Sequence, residues 1–450
     1  MDLLDLATRL AGEAQGNEDV EAFLVHERSF EVKTYDDDVE SLASAEPRGA
    51  GVRVVKGGRA GFAYTTDLTE DGLRSVVDMA RTNADFTSED EAVALASVWD
   101  STPADVAGLI DPVQESVSAE DKVAFALELE RATKALDERV TAVEEAAYSD
   151  SDTEVAIATS TGVSGRYRRT DAWCYSIAIA DDGNGEREMG FDFGLARGLG
   201  SLDAEEVARS SVQRAVQVLG AEKIPSERMA VVFDPYVSGQ FLGVISQALT
   251  AEAAQKGRSL FAGKVGEQVA APNLTLVDDG RLDGGPSSAP WDDEGVPTGR
   301  TEVITGGVLR SFLYDTKTAR RERRTSTGNA SRAGFKSVPR PAPTNLAFEP
   351  TGETPEEILK RAGRALLVKE FHGVHSGANA VSGDFSVGTT GVLLANGTAG
   401  RPVKEVTIAA PMMDILKGIT AVGADRRWLP FGGAFGGATT LVSEMTVAGA

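Results

Sequence analysis

Hydrophobic and polar positions repeat with a helical period at the start of the chain and with a period of two soon afterwards. Residues 3–16 carry an apolar face typical of a helix. From Val20 onward apolar and polar residues alternate, as in strands. The stretches 48–55 and 59–64 flank Lys56-Gly57-Gly58, a pattern typical of a β-hairpin. A helix capped by Thr69 is predicted to follow at 69–83.

A second patterned region follows an acidic stretch with little periodicity. Residues 86–117, which contain two prolines, are predicted to form a linker. A long helix is predicted at 118–137, because Ser118 is followed three residues later by Asp121. Beyond it, long alternating strands are predicted between 140 and 195, with turns at 149–152, 160–162 and 181–185, and then a helix at 203–219.

The composition shifts toward Gly, Thr, Val and Pro in the second half, which begins after Pro225. A strand at 229–233 and a helix at 236–255 are predicted there. Short strands follow at 274–277, 300–304, 308–314, 365–369, 389–396, 403–408, 420–422 and 438–447, a spacing typical of a sandwich or barrel.

These patterns predict an α+β fold with two parts. The N-terminal α/β half, residues 1–225, is predicted to combine an antiparallel sheet with long helices. It divides into a hairpin-rich subdomain at about 1–85, the linker 86–117 and a helix-strand subdomain at 118–225. The C-terminal domain, residues 226–450, is predicted to be β-rich and barrel-like or sandwich-like.

Charge and cysteine content narrow the classes of function. The 450 residues include 45 Lys and Arg against 69 Asp and Glu, a formal net charge of −24. This charge repels phosphate backbones and anionic lipids, so neither nucleic-acid binding nor membrane docking is expected. The N-terminus lacks signal-peptide features, and no apolar run is long enough to span a membrane. With one cysteine, Cys174, which is predicted to lie in the core, the chain is expected to be cytoplasmic.

Histidines are too few for a familiar zinc-protease motif. An H-E-x-x-H site needs two imidazoles on one helix face, and the chain has only His26, His372 and His375. His26 is predicted to end a strand. His372 and His375 form H-x-x-H in a glycine-rich segment that is not expected to be helical. We favour a surface or ligand-contact loop there; a metal site is the alternative and would need a third ligand.

Two segments have unusual charge. The first is an acidic stretch that could hold a hard cation, although turn chemistry is the favoured interpretation; its carboxylates are Asp278, Asp279, Asp283, Asp292, Asp293 and Glu294. The second, residues 310–340, carries nine basic and two acidic residues. It is either a solvated or internally paired surface, or a site for a carboxylate or an acidic partner surface. The predicted substrate or partner contacts are Arg320, Arg321, Arg323, Arg324, Thr327, Asn329, His372 and His375.

Four blocks resemble, in the same order, segments of the TldD/PmbA proteins, a bacterial metallopeptidase family. They are VVKGGRAGFAYTTDL (54–68), WDDEGVPTGRTEVITGGVLRSFLYD (291–315), LYDTKTARRERRTSTGNASR (313–332) and VSGDFSVGTTGVLLANG (381–397). The resemblance implies a two-domain chain in a dimeric zinc peptidase, usually a heterodimer, that acts on unfolded peptides and leader peptides.

The resemblance also marks where the metal site of the catalytic member would lie. That member carries His-Glu-x-x-x-His on the helix opening the C-terminal half, and a later cysteine. Counted back from Lys256, the motif positions fall near Leu242, Gly243 and Gln247, and the helix contains no histidine. The cysteine position falls near Val422. The chain thus resembles the PmbA (TldE) branch, whose members lack the metal.

The resemblance to this branch implies neither catalytic residues nor a metal in this chain, and zinc in a TldD-like partner subunit. Two alternatives stay open. One is a homodimeric peptidase with an unrecognised site, for example around the H-x-x-H pair. The other is a modulator of DNA gyrase, an old label of the family, that acts through protein interaction.

Overall fold

The computed structural model describes residues 2–97, 103, 105–430 and 433–449, and it has the predicted α+β fold with a β-rich C-terminal half. Part of the predicted linker, residues 98–102 and 104, lies outside the described residues. None of the helices in the described part of the chain combines the length and the apolar character that a membrane span requires.

The N-terminal half is built on one seven-stranded antiparallel sheet. The strands are β1 (Glu18–Tyr35), β2 (Asp38–Ala45), β3 (Arg48–Lys56), β4 (Arg59–Thr65), β5 (Val140–Thr159), β6 (Ser164–Asp181) and β7 (Arg187–Ala196), and the helices are α1 (Leu3–Ala11), α2 (Glu70–Asp85), α3 (Ala119–Ala135) and α4 (Ala204–Val216). The strand order is β4-β3-β1-β5-β6-β7, and β2 pairs with β1. Because β1 pairs with both β3 and β5, a single sheet joins the segments before and after the predicted linker.

Side-chain caps fix the starts of the helices in this half. Thr69 accepts a hydrogen bond from the Gly72 N–H, and Ser118 accepts one from the Asp121 N–H. Both caps were predicted, because hydroxyl groups satisfy the free N–H groups of a first helical turn. The hairpin around Lys56 also forms as predicted, between β3 and β4.

The predicted turn at 149–152 is wrong, because β5 continues through it and pairs with β1 and β6 on either side. The two acidic residues of this segment each find a cation in the folded protein. Asp150 lies 2.7 Å from the Lys122 Nζ, and Asp152 lies 2.8 Å from the Arg28 Nη2. Opposite charges on neighbouring elements stabilise an extended backbone here.

The C-terminal half contains a ring of strands and a second sheet. Its strands are β8 (Glu227–Phe233), β9 (Leu276–Asp279), β10 (Arg300–Thr305), β11 (Val308–Leu309), β12 (Ala330–Ser331), β13 (Arg340–Pro341), β14 (Asn345–Phe348), β15 (Ala365–His372), β16 (Ala378–Asn379), β17 (Asp384–Ala395), β18 (Thr398–Ala409), β19 (Ile419–Val422), β20 (Arg427–Leu429), β21 (Ala434–Gly437) and β22 (Thr440–Ala448). Its helices are α5 (Pro235–Ser246), α6 (Ala251–Gln255), α7 (Thr316–Arg321), α8 (Pro355–Ala362), α9 (Val374–Gly377) and α10 (Met412–Gly418).

The ring follows the order β15-β8-β22-β18-β17 and closes because β17 pairs back with β15. The second sheet has the order β11-β10-β9-β14-β21-β20. Helix α5 contacts strands of both. Its apolar side chains lie at the centre of the largest core, where the Phe241 ring packs against Phe233 and Phe385 at centroid distances of 5.8 and 5.6 Å. This packing holds α5 in one position.

The helix predicted at 236–255 is two helices, α5 and α6. Thr250 caps α6 by accepting from the Ala253 N–H, and the N–H of Ala251 donates to the carbonyl of Leu313 at 2.9 Å. The Leu313 N–H donates in turn to the Leu249 carbonyl. These bonds turn the chain between the helices and keep Leu313 out of β11, which is shorter than the predicted strand at 308–314.

Candidate functional site

A cavity of about 620 Å³ opens beside α5, and we call it the α5 cavity. Its lining residues are Gly239, Gln240, Gly243, Val244, Ser246, Gln247, Phe371, Gly373, Val374, His375, Ala378, Ala380, Leu429 and Phe435. Gly243 and Gln247, two of the four positions marked by the family resemblance, therefore share this cavity. Leu242 is instead buried in the core, and Val422 is buried in β19 outside the lining.

Two local features place α5 against this cavity. Asp234 caps the helix by accepting from the Val237 N–H, and Pro235 occupies its first turn, where a missing N–H costs nothing. Gly437 of β21 then lets that strand approach the helix closely. A Cβ built on Gly437 would lie 1.9 Å from the Pro235 oxygen and 2.3 Å from the Gly239 nitrogen.

The lining of the α5 cavity suits hydrogen bonding and apolar contact. The Gln240 Oε1 is buried and has no hydrogen-bond partner among the described residues. A zinc site needs three protein ligands drawn from imidazole, thiolate and carboxylate groups. Within the described ranges, no cluster of three or more His, Cys, Asp or Glu is placed to hold a metal ion. The residues present at α5 do not fit zinc.

The two histidines of the H-x-x-H segment have different surroundings. His372 ends β15, where its Nε2 lies 2.8 Å from the Thr390 Oγ1. His375 borders the α5 cavity from the one-turn helix α9, so the expectation of a non-helical segment is wrong there. Gly373, with a φ of 69°, supplies the left-handed turn that starts α9. His26 is also misplaced by the prediction, since it lies within β1 and not at its end.

The four predicted contact arginines have different surroundings. Arg321 lies 2.5 Å from the Asp90 Oδ2, and Arg324 lies over the Tyr314 ring at 5.9 Å. Arg320 and Arg323 are exposed, and no carboxylate of the described residues lies within 4.0 Å of either. Part of the basic segment is therefore paired internally, and part faces solvent.

Thr327 and Asn329 use their polar groups within the fold. The Thr327 Oγ1 accepts from the Tyr314 N–H at 2.8 Å and donates to the Asn329 Oδ1 at 2.6 Å. The Asn329 side chain is buried and donates to the Asp278 Oδ2 at 2.7 Å. These bonds hold the 326–330 segment against the strand that carries Asp278.

The acidic stretch forms internal turns, as the favoured interpretation predicts. The Asp292 Oδ1 accepts from the N–H groups of Glu294 and Val296, and the Asp279 Oδ1 accepts from the Arg281 N–H. Glu294 lies 3.1 Å from the Arg53 Nη2 of β3. These carboxylates therefore bind different partners within the fold: Asp279 and Asp292 accept from backbone N–H groups, and Glu294 pairs with Arg53.

Replacing Asp278 with asparagine should reduce the loss of stability between about pH 4 and pH 6. Burial, only partly offset by hydrogen bonds from Asn329 and Thr344, raises the pKa of Asp278 to about 6. The folded protein therefore binds this proton more tightly than the unfolded chain. Protonated Asp278 therefore contributes to stability in full at pH values below its pKa in the unfolded chain. This contribution is lost as the pH rises through the folded pKa of about 6, and it amounts to about 3 kcal/mol.

Urea unfolding of wild type and Asp278→Asn at several pH values measures this contribution. The exposed substitution Asp414→Asn serves as the control and should leave the wild-type pH dependence unchanged. Parallel curves for wild type and Asp278→Asn would contradict the raised pKa.

Sequence reasoning missed a buried ionic network that joins the two halves of the chain. Glu21 of β1 accepts from the Arg53 Nε at 2.8 Å and also pairs with Arg332. The side chains of Glu21 and Arg332 are both 0% exposed. The alternating pattern of β1 did indicate a partner for Glu21. Glu21 shares a strand face with the apolar residues Phe23 and Val25, where burying an unpaired carboxylate would be costly.

Family models for three domains of PmbA/TldA metallopeptidases match the chain. The model of domain 1 matches residues 20–84, the central domain matches 112–219, and the C-terminal domain matches 226–449. Metalloprotease PmbA of Escherichia coli O157:H7 is 28% identical over 88% of this chain and 85% of its own length. A metalloprotease TldD homologue of Haemophilus influenzae is 27% identical, over 86% and 81% respectively.

Solved structures agree with this assignment. A crystal structure from Thermotoga maritima, whose name refers to modulation of a DNA gyrase, has a TM-score of 0.90 and 27% identity and covers 99% of this chain and 100% of its own. TldE of Thermococcus kodakarensis has a TM-score of 0.83 over 96% of this chain and 97% of its own, and its 22% identity supports the fold alone. The chain belongs to the PmbA/TldD metallopeptidase family.

Proposed function

We propose that this chain is the metal-free subunit of a two-chain zinc peptidase, in which a TldD-like partner supplies the metal. The observation that carries the proposal is the donor set beside α5. Gln240, Gly243 and Gln247 face the cavity at the helix where a zinc-bearing relative needs imidazole and carboxylate ligands. Amide and glycine positions cannot replace such ligands.

In this proposal the chain binds peptide beside the partner's catalytic centre. The α5 cavity combines the apolar side chains of Phe371, Leu429 and Phe435 with the amides of Gln240 and Gln247. Such a lining can receive an apolar side chain and hydrogen-bond a peptide backbone. Because every peptide has the same backbone, binding of this kind suits unfolded peptides and leader peptides of varied sequence.

We place the complex in the cytoplasm. Cys174 is the single cysteine and is buried. Burial raises the pKa of its thiol to about 12, which keeps the sulfur protonated and unreactive. A chain with one cysteine forms no intrachain disulfide and therefore does not require an oxidising compartment.

The purified chain alone should lack stoichiometric zinc and should not cleave an unfolded peptide, whereas a mixture with its TldD-like homologue should cleave it. Plasma mass spectrometry measures the metal, and peptide cleavage followed by chromatography measures the activity. Gly243→Leu fills the α5 cavity toward Phe435, whose nearest ring carbons lie 3.4 Å from a Cβ at that position. This variant should slow cleavage while the two chains still co-purify.

Gly200→Leu is the matched control, because nothing lies within 4 Å of a Cβ built there. It should leave cleavage by the mixture unchanged. Stoichiometric zinc in the chain purified alone, held by its own side chains, would overturn the proposal in favour of the homodimeric peptidase.

A further inference from the structure

A second cavity, of about 760 Å³, lies at the seam between the two halves of the chain, and we call it the seam groove. Strands β6 and β7 border it on one side, and β20 with the 284–287 loop borders it on the other. Both β7 and β20 stand last in the strand order of their sheets. In an end strand, alternate backbone N–H and C=O groups face away from the sheet, where an extended chain can pair with them. In β7 the Phe193 carbonyl already accepts a hydrogen bond from Arg427, so pairing would use the other edge groups.

The lining of the seam groove is positively charged, on a protein with a net charge of −24. Among the described residues, four arginines line it, namely Arg169, Arg197, Arg426 and Arg427, together with one carboxylate, Asp171. Two indole rings, those of Trp173 and Trp428, lie among them. The groove is therefore an arginine-rich and aromatic strip on a protein of net negative charge.

Asp171 is shared by two of these arginines. Its Oδ2 lies 3.0 Å from the Arg169 Nε, and its Oδ1 pairs with Arg197. Burial lowers the pKa of Arg197; Arg169 adds to this effect, while Asp171 opposes it. Although burial opposes them, Asp293 and Glu27 also act on Arg169 and help raise its pKa. Asp171 is the carboxylate in direct contact with both guanidinium groups at this end of the groove.

At the other end, Arg427 and Arg426 differ in their partners. Arg427 lies 2.6 Å from the Asp192 Oδ1 and stacks on the Phe193 ring. Arg426 stacks on the Trp428 ring at 5.5 Å and donates to the Phe348 carbonyl at 3.1 Å. Within the described ranges no carboxylate oxygen lies within 4.0 Å of Arg426. Burial lowers the pKa of Arg426, and Glu349, which lies beyond contact distance, opposes this effect. The Arg426 guanidinium is thus held in place without a carboxylate in direct contact.

We propose that the seam groove binds an extended peptide segment through its acidic side chains. Glutamate or aspartate carboxylates pair with Arg426 and with the Arg169–Arg197 pair, and the peptide backbone runs along the end strands. Guanidinium groups match carboxylates geometrically and bind them through two parallel hydrogen bonds. The inference rests on the proposed function only in taking a peptide as the ligand, and it adds a preference for acidic residues away from the α5 cavity.

Charge favours a peptide over a nucleic acid as the occupant. A polyphosphate chain carries a charge on every nucleotide and would be repelled by the protein's net charge of −24. A peptide with a few carboxylates matches a strip of four arginines, while its neutral residues approach the remaining surface without repulsion. Two indoles also suit the alkyl stems and rings of peptide side chains.

Fluorescence anisotropy with the full chain tests this inference. The probe is a labelled, unstructured peptide with glutamate at alternate positions, and the comparison peptide carries glutamine at the same positions. The glutamate peptide should bind about tenfold more tightly, because one charge-assisted pair contributes about 1.4 kcal/mol or more. Arg426→Gln should remove most of that preference, and Arg426→Lys should restore only part of it.

Arg228→Gln is the matched control, since Arg228 is an exposed arginine on β8 that pairs with Glu444 outside the groove. It should bind both peptides as the wild type does, and circular dichroism should show both variants folded. Equal binding of the two peptides, or unchanged preference in Arg426→Gln, would overturn the inference. Equally tight binding of a labelled oligonucleotide of the same length would also overturn it in favour of a general polyanion site.

Failure of this inference can be told apart from failure of the proposed function. The anisotropy experiment uses the isolated chain and requires neither a partner nor cleavage. Zinc in the isolated chain would overturn the proposed function and leave the binding preference intact. A missing preference would remove the seam groove as a peptide site and leave the zinc and cleavage measurements unaffected.

Discussion

Replacing Glu21 with glutamine should lower the free energy of unfolding by about 3–5 kcal/mol, because it leaves buried guanidinium groups without their counter-ion. Arg332 is fully buried beside Glu21 and stacks on the Phe23 ring at 4.7 Å. Arg53 keeps its second partner, Glu294, so the uncompensated charge falls mainly on Arg332. Urea denaturation followed by circular dichroism measures the change.

Glu444→Gln is the matched control, since Glu444 pairs with Arg228 at an exposed position where an ion pair contributes little. It should unfold at the wild-type urea concentration. A Glu21→Gln protein as stable as this control would show that Glu21 does not balance the charge of Arg332.

Acidification should also lower the stability of the protein by protonating Glu21. Burial alone would raise its pKa, but Arg332 and Arg53 outweigh that effect and hold the pKa of Glu21 below its usual value of 4.5. Ionised Glu21 therefore contributes to stability in full at pH values above its pKa in the unfolded chain. This contribution is lost as the pH falls through its lower pKa in the folded protein. Wild type should consequently lose more stability on acidification than Glu21→Gln does.

Replacing Gly437 with alanine should destabilise the protein by about 3 kcal/mol or more, the upper range for an overpacked core. The added methyl group would overlap the Pro235 oxygen and the Gly239 nitrogen, which are backbone atoms of α5 and cannot rotate away. Strand β21 and helix α5 would have to separate, and the α5 cavity would change shape with them. Thermal unfolding by calorimetry measures the loss.

Gly200→Ala is the matched control for this substitution, because its methyl group would meet no atom within 4 Å. It should unfold at the wild-type temperature. A Gly437→Ala protein with wild-type stability and unchanged peptide cleavage in the two-chain mixture would show that α5 can shift without cost.

Local pattern was sufficient for the parts of the fold that local interactions determine. The caps at Thr69 and Ser118 and the hairpin at Lys56 depend on residues a few positions apart, and all three were predicted. The turn predicted at 149–152 failed because the partners of its carboxylates, Arg28 among them, come from elements far away in sequence. Alternating polarity cannot show such partners.

The candidate site was predictable only in part, for the same reason. Resemblance to relatives placed Gly243 and Gln247 on one helix, and the structure brings both to the α5 cavity. No spacing in the sequence indicates that Arg169 and Arg426 line one groove, because they belong to different halves of the chain. The arginines of the seam groove come together only when the two halves of the chain pack against each other.

The long strand β1 also has a consequence for how the protein is made. Residues of β1 such as Glu21 pair with residues of β5 such as Thr159, which leave the ribosome much later. At a synthesis rate of about 5–20 residues per second, β1 waits on the order of ten seconds with one side unpaired. During that interval the nascent chain presents an open strand to its neighbours, so early protection by a chaperone would benefit this protein.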